Sequence, residues 1–288
     1  MVVHGSRSSW PMTLWQRAEA SKTLVVAFYP LGGNDVNTGP RFHREAELAG
    51  VDMLAVTRAG TNGLVPSRRL RQRLSPAVFE TSLDQLFAQL EPVCRRYARV
   101  LLRGQSTGAF LALAVAAARR LPVTDLLIED GLNARPSTSA DLAGLLTGNL
   151  HWLKHSMVER RRMQPPEGAE PLRRTGSGTR LPAVAFLVEQ YHWEPLWRSD
   201  YGRETLLAVI REQPRLPVSV VLFGHSGTAS PFQAEELRVR LNAAGAERLV
   251  LDEAAAPVAV RLEPDSWHGW LLYPEVGASN ILWAIGRR

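Results

Sequence analysis

The serine of Gly104-Gln105-Ser106-Thr107-Gly108 has the surroundings best suited to covalent chemistry. A serine hydroxyl is a weak nucleophile. To attack a carbonyl it must be exposed, lose its proton to a base and have the resulting oxyanion stabilised. Glycines at 104 and 108 meet the first need, because they let a strand turn sharply into a helix where larger side chains would strike neighbouring backbone. The apolar run Val100-Leu101-Leu102 predicts the strand, and the Ala- and Leu-rich stretch 109–121 predicts the helix. Gly224-His225-Ser226-Gly227-Thr228 also follows a strand-like run, but its last position is threonine and Pro231 delays the next helix. Ser226 is therefore the lesser candidate.

A base for Ser106 should stand after the last strand, on a loop able to fold back over the strand ends. His268, in Asp265-Ser266-Trp267-His268-Gly269-Trp270, fits that place just before the final helix. His4, His43, His192 and His225 lie on the wrong segments. His151 and His155 have the spacing of a helical metal pair, but Trp152 stands where a metalloprotease motif needs glutamate, so no metal is expected. For the oxyanion, one N–H should come from Thr107 at the positive end of the elbow helix. The other should come from Pro30-Leu31-Gly32-Gly33. Leu31 is the first choice, since Pro30 has no N–H, with Gly32 as the alternative. Cys94 is the only cysteine and sits in a helical stretch, where packing is its expected role.

These residues need a scaffold, and strand-like and helix-like runs alternate as in a mainly parallel sheet covered on both faces. Strands are expected at 23–29, 51–57, 99–103, 125–130 and 217–223, with short strands within 248–262. Helices are expected at 41–49, 75–96, 109–121, 233–244 and 276–285. The rhythm breaks at Gly131, and residues 131–216 are too many for a structureless loop. The expected organisation is an α/β core of residues 1–130 and 217–288 with a partly helical cap or lid at 131–216. Trp152, Leu153, Trp193 and Trp197 in that insertion suit either an apolar acyl pocket or the glue between cap and sheet.

With 288 residues and 45% hydrophobic content, the chain can bury roughly 75% of its unfolded surface, so it needs no disulfide. No apolar run reaches the length of a membrane span, and no signal-peptide pattern opens the chain, so a soluble cytoplasmic protein is expected. The net charge of +6 is uneven. Residues 58–73 hold five arginines and no acid, and residues 154–180 hold seven cations against three acids. Only Lys22 and Lys154 are lysines, which points to an arginine-rich coding bias. No zinc-finger, RNA-binding or P-loop pattern accompanies the basic blocks, so nucleic acid is not an expected partner. Arg160, Arg161 and Arg162 instead suit an anionic or carrier-bound substrate.

In its strand–elbow–helix, its Pro-Leu-Gly-Gly loop after an early strand and its late His-Gly, the chain resembles the α/β-hydrolase superfamily. Phe28-Tyr29-Pro30-Leu31-Gly32-Gly33 and Gly104-Gln105-Ser106-Thr107-Gly108-Ala109 are similar to the thioesterases of polyketide and peptide synthesis. The resemblance implies a serine hydrolase that cleaves an ester or thioester through an acyl-serine, with no cofactor. The loop where the superfamily most often keeps its acid, 224–229, holds no carboxylate. A second location in the superfamily, the end of the strand after the elbow helix, reads Leu126-Leu127-Ile128-Glu129-Asp130-Gly131 here. It makes Asp130 the expected acid and Glu129 the alternative. The competing reading is a non-catalytic binding or scaffold protein on the same fold, motivated by the empty acid position and the arginine-rich insertion.

Overall fold

The computed structural model describes residues 2–3, 10, 12–17, 19, 21–30, 38–57, 76, 83–132, 193–225, 231–267 and 273–286. Eight strands form one sheet: β1 (Val2–Val3), β2 (Met12–Trp15), β3 (Thr23–Phe28), β4 (Asp52–Val56), β5 (Arg99–Gln105), β6 (Asp125–Glu129), β7 (Val218–His225) and β8 (Val258–Trp267). Their spatial order is β1-β2-β4-β3-β5-β6-β7-β8. The pairings of β2 with β1 and with β4 are antiparallel, and every pairing from β4 to β8 is parallel. Six parallel strands therefore end at one edge of the sheet, and the chain after β3, β5, β6 and β8 leaves from that edge.

Period-two alternation sorts the side chains of β3 and of Tyr29, the residue after it, into two cores. Leu24, Val26 and Phe28 join one core with α2 (Leu83–Cys94), α3 (Gly108–Ala118), α4 (Tyr201–Glu212) and α5 (Pro231–Leu251). Val25, Ala27 and Tyr29 join the other, under α1 (Gly39–Ala49) and α6 (Pro274–Ile285). Helix α3 is apolar on every side, and each residue from Gly108 to Ala116 is buried, as befits a helix enclosed by the sheet and other helices. No described helix is long and apolar enough to cross a membrane.

The structure changes three parts of the reading from sequence and describes part of the segment expected as a cap. β8 runs to Trp267, so residues 263–267 are strand where a loop was expected. Pairing with β7 explains this, since the ladder continues to His225↔Trp267 past an irregularity between Phe223 and His225. Helix α5 continues to Leu251, through residues expected as strand. β2, four residues long, is too short to announce itself by pattern. Trp193, Leu196, Leu206, Val209, Ile210 and Leu216 lie in the main core, so 193–216 is packed onto the sheet domain. Residues 133–192, the rest of the segment expected as a cap, lie outside the described residues.

Candidate active site

Ser106 stands between β5 and α3 with φ +53°, a left-handed conformation that costs a non-glycine residue about 1–2 kcal/mol. Its surroundings force the turn. A Cβ at Gly104 would lie 2.5 Å from the Cα of Ala109, and one at Gly108 would press on the carbonyl group of Phe28 in β3. Gly131, just past β6, leaves room in the same way, because a Cβ there would lie 2.5 Å from the Cβ of Ala109 and against the carbonyl of Ser106. Both main-chain groups of Ser106 are bonded. Its N–H donates to the carbonyl of Glu129 (2.9 Å) and its carbonyl accepts from Ala109 N–H (2.9 Å). Thr107 is the N-cap of α3, so its N–H belongs to the helix end whose donors lack intrahelical partners.

Asp130 follows β6 directly, is buried, and also has positive φ, +43°. Its N–H donates to Val221 (2.8 Å), and its Oδ1 accepts a long bond from the Phe223 N–H (3.4 Å). Glu129 serves a different set of groups. Its Oε2 accepts from Arg103 Nε (2.6 Å) and its Oε1 accepts from the Asn280 side-chain amide (2.6 Å). With both oxygens held on the α1/α6 side of the sheet, Glu129 is engaged in a buried ion cluster. The backbone thus brings Ser106 and Asp130 to the same sheet edge on adjacent strands. His268 and Leu31 lie outside the described residues, as do Gly32, Ser226, His151 and His155. The last residue of β8, Trp267, immediately precedes His268 in the chain.

The reading from sequence missed the cluster behind the elbow. Arg103 is fully buried, and its guanidinium pairs with Glu45 of α1 as well as with Glu129. Burial works against this charge, but Glu129 and Glu45 outweigh it and hold the pKa of Arg103 above its ordinary value. Arg41 of α1 pairs with Glu45 (3.3 Å) and donates to the side-chain oxygen of Gln105. Asn280 of α6 accepts from Arg261 of β8. The signal was present: a lone arginine in the apolar run Val100-Leu101-Leu102-Arg103 must find partners once the strand is buried.

Among the described residues no group of three or more His, Cys, Asp or Glu side chains is arranged to hold a metal ion. A described cleft of about 700 Å³ lies far from Ser106, between the starts of β6, β7 and β8, where Thr124, Gln213, Arg215 and three prolines line it. No acid, histidine or cysteine lines it.

No protein-family model matches the sequence, and no curated protein matches it significantly. Solved structures do. One of the carboxylesterases of the thaumarchaeon Nitrososphaera gargenis matches with a TM-score of 0.59 at 12% identity, over 99% of this chain and 97% of that one. An acetylester hydrolase from Corynebacterium glutamicum matches with a TM-score of 0.59 at 10% identity, over 96% of this chain and 90% of that one. An E-2-(acetamidomethylene)succinate hydrolase matches with a TM-score of 0.54 at 17% identity, over 96% and 95%. Sheet order, the glycine-walled turn after β5 and these likenesses agree: the chain has the α/β-hydrolase fold.

Proposed function

We propose that this chain is a serine hydrolase that cleaves a carboxylic ester or thioester, with Ser106 as nucleophile, His268 as base and Asp130 as acid. In this reading Ser106 Oγ attacks the carbonyl carbon while His268 takes its proton. The oxyanion is met by the N–H groups of Thr107 and Leu31. Collapse of the tetrahedral intermediate expels the alcohol or thiol, which leaves with the proton from His268. Water, deprotonated by the same histidine, then releases the acid and restores Ser106. Asp130 orients the imidazole and stabilises its protonated form.

The observation that carries this reading is the strained, glycine-walled turn that holds Ser106 at the carboxyl edge of six parallel strands. A tight strand-to-helix connection does not need positive φ at a serine, and strain of this kind gathers at functional sites. The solved structures it resembles include carboxylesterases and an acetylester hydrolase, which supports hydrolysis as the reaction class. The test is labelling with a fluorophosphonate. The protein should take up one probe per chain, and Ser106→Ala should take up none. A folded parent protein that stays unlabelled would overturn the reading.

A further inference from the structure

Ser106 and Asp130 each directly follow a residue tied into the cluster of Arg41, Glu45, Arg103, Glu129 and Asn280. Gln105, the residue before Ser106, accepts from Arg41. Glu129, the residue before Asp130, is gripped on one carboxylate oxygen by Arg103 of β5 and on the other by Asn280 of α6. The carbonyl of Glu129 also accepts the Ser106 N–H, at 2.9 Å. One buried residue therefore bonds to the nucleophile's backbone, precedes the acid in the chain and is tied to two neighbouring elements. Asn280 extends the chain of bonds to Arg261 on β8, the strand that ends just before His268.

Stability alone does not explain such a cluster. Burying four charges costs several kcal/mol each in desolvation, and apolar side chains of similar volume often replace buried ion pairs with no loss of stability. Ion pairs with forked geometry do fix direction, since a guanidinium reaches two carboxylates only from set angles. The cluster joins α1, β5, β6 and α6, elements that enter or leave the carboxyl edge.

We propose that the Arg41–Glu45–Arg103–Glu129–Asn280 cluster is a positioning brace for the site, with Glu129 as the residue that sets Ser106 relative to Asp130. This rests on the serine-hydrolase reading for its functional consequence.

The experiment replaces the four charges together, as Arg41→Met, Glu45→Leu, Arg103→Met and Glu129→Leu, so that no buried charge loses its partner. Two quantities are followed on the full chain: the kinetics of fluorophosphonate labelling and backbone hydrogen exchange by mass spectrometry. Thermal stability should stay near that of the parent. The maximal labelling rate should fall about tenfold or more, because displaced reacting atoms lose rate steeply, with the half-saturating probe concentration unchanged. Exchange in peptides covering residues 104–109 and 128–132 should rise about tenfold, and peptides from β4 should not change. Parental labelling and parental local exchange in the folded variant would overturn the brace. So would exchange that rises uniformly along the chain, the mark of a merely structural role. Should the fourfold variant fail to fold, Asn280→Leu, which removes one grip on Glu129, decides by the same two readouts. If the parent protein is not labelled at all, the serine-hydrolase reading falls, and local exchange still decides whether the brace holds the two strand ends.

Discussion

Glu129 and Asp130 carry the same functional group on adjacent residues, and the backbone sends them to different partners. Glu129 completes a buried ion cluster, while Asp130 turns out of β6 with φ +43° and reaches toward the Phe223 N–H. The two substitutions should therefore differ in kind. Asp130→Asn keeps the shape and removes the charge that would stabilise a protonated His268, so kcat for p-nitrophenyl acetate should fall by about 10³ to 10⁴. Glu129→Gln keeps an acceptor for Arg103 and should lower kcat by about tenfold or less, with some loss of stability. Near-parental kcat in folded Asp130→Asn would mean that the acid comes from elsewhere. Cys94 is no rival nucleophile, since burial pushes its thiol up to about 12 and leaves it protonated at neutral pH.

Helix α3 carries the elbow, and its approach to the sheet depends on one missing side chain. Gly108 sits so close to β3 that a Cβ would stand 2.9 Å from the carbonyl carbon of Phe28, closer than real Cβ atoms approach. Backbone cannot swing aside as a side chain can. Gly108→Ala should thus destabilise the protein by about 1–3 kcal/mol in urea unfolding, the usual cost of overpacking, despite the better helix propensity of alanine. An unchanged or raised unfolding midpoint would show that α3 and β3 can part freely. This element was legible in advance because its signals were local: two glycines around a serine, an apolar strand before and an apolar helix after. The parallel core strands were legible for the same reason. β8 was not, because Pro264, Asp265 and Ser266 read as loop residues, and only the ladder to β7 holds residues 263–267 extended. The end of α5 failed from the opposite cause, since Leu249-Val250-Leu251 has the composition of a strand but continues a helix and leaves Val250 and Leu251 exposed. The lone arginine of the run 100–103 announces a buried ion pair, but the rest of the cluster comes from α1, β6 and α6, and no local pattern encodes which residues those are.

At the scale of the whole molecule, sheet order decides what surrounds the nucleophile. β5 and β6 are neighbours, so the segments after them, bearing Ser106 and Asp130, start side by side. On the side of α3 and α4, the material packed next to them is apolar. Phe110 lies in the first turn of α3, and its ring stands 6.1 Å from that of Trp193. Leu132 follows Asp130 by two residues, and the first turn of α4 presses on both side chains: a Cβ at Gly202 would lie 2.8 Å from Leu132 and 2.9 Å from Phe110. Trp193 is nearly fully buried and so serves as packing, one of the two roles considered for the tryptophans of this segment. Phe110 and Leu132, in the segments that follow Ser106 and Asp130, thus form an apolar wall backed by the packed Trp193. A substrate acyl chain extending along such a wall would leave water as it lengthens, and each buried methylene contributes about 0.8 kcal/mol, or about fourfold in rate constant. Across p-nitrophenyl esters from acetyl to octanoyl, kcat/KM should climb by about fourfold per methylene until the chain outgrows the wall, then level or fall. The rise should appear in kcat/KM and be insensitive to salt, because it comes from apolar burial and not from steering by arginines. A profile flat from acetyl to octanoyl, with the same protein labelled by fluorophosphonate at Ser106, would leave the nucleophile in place and remove the apolar acyl site beside it.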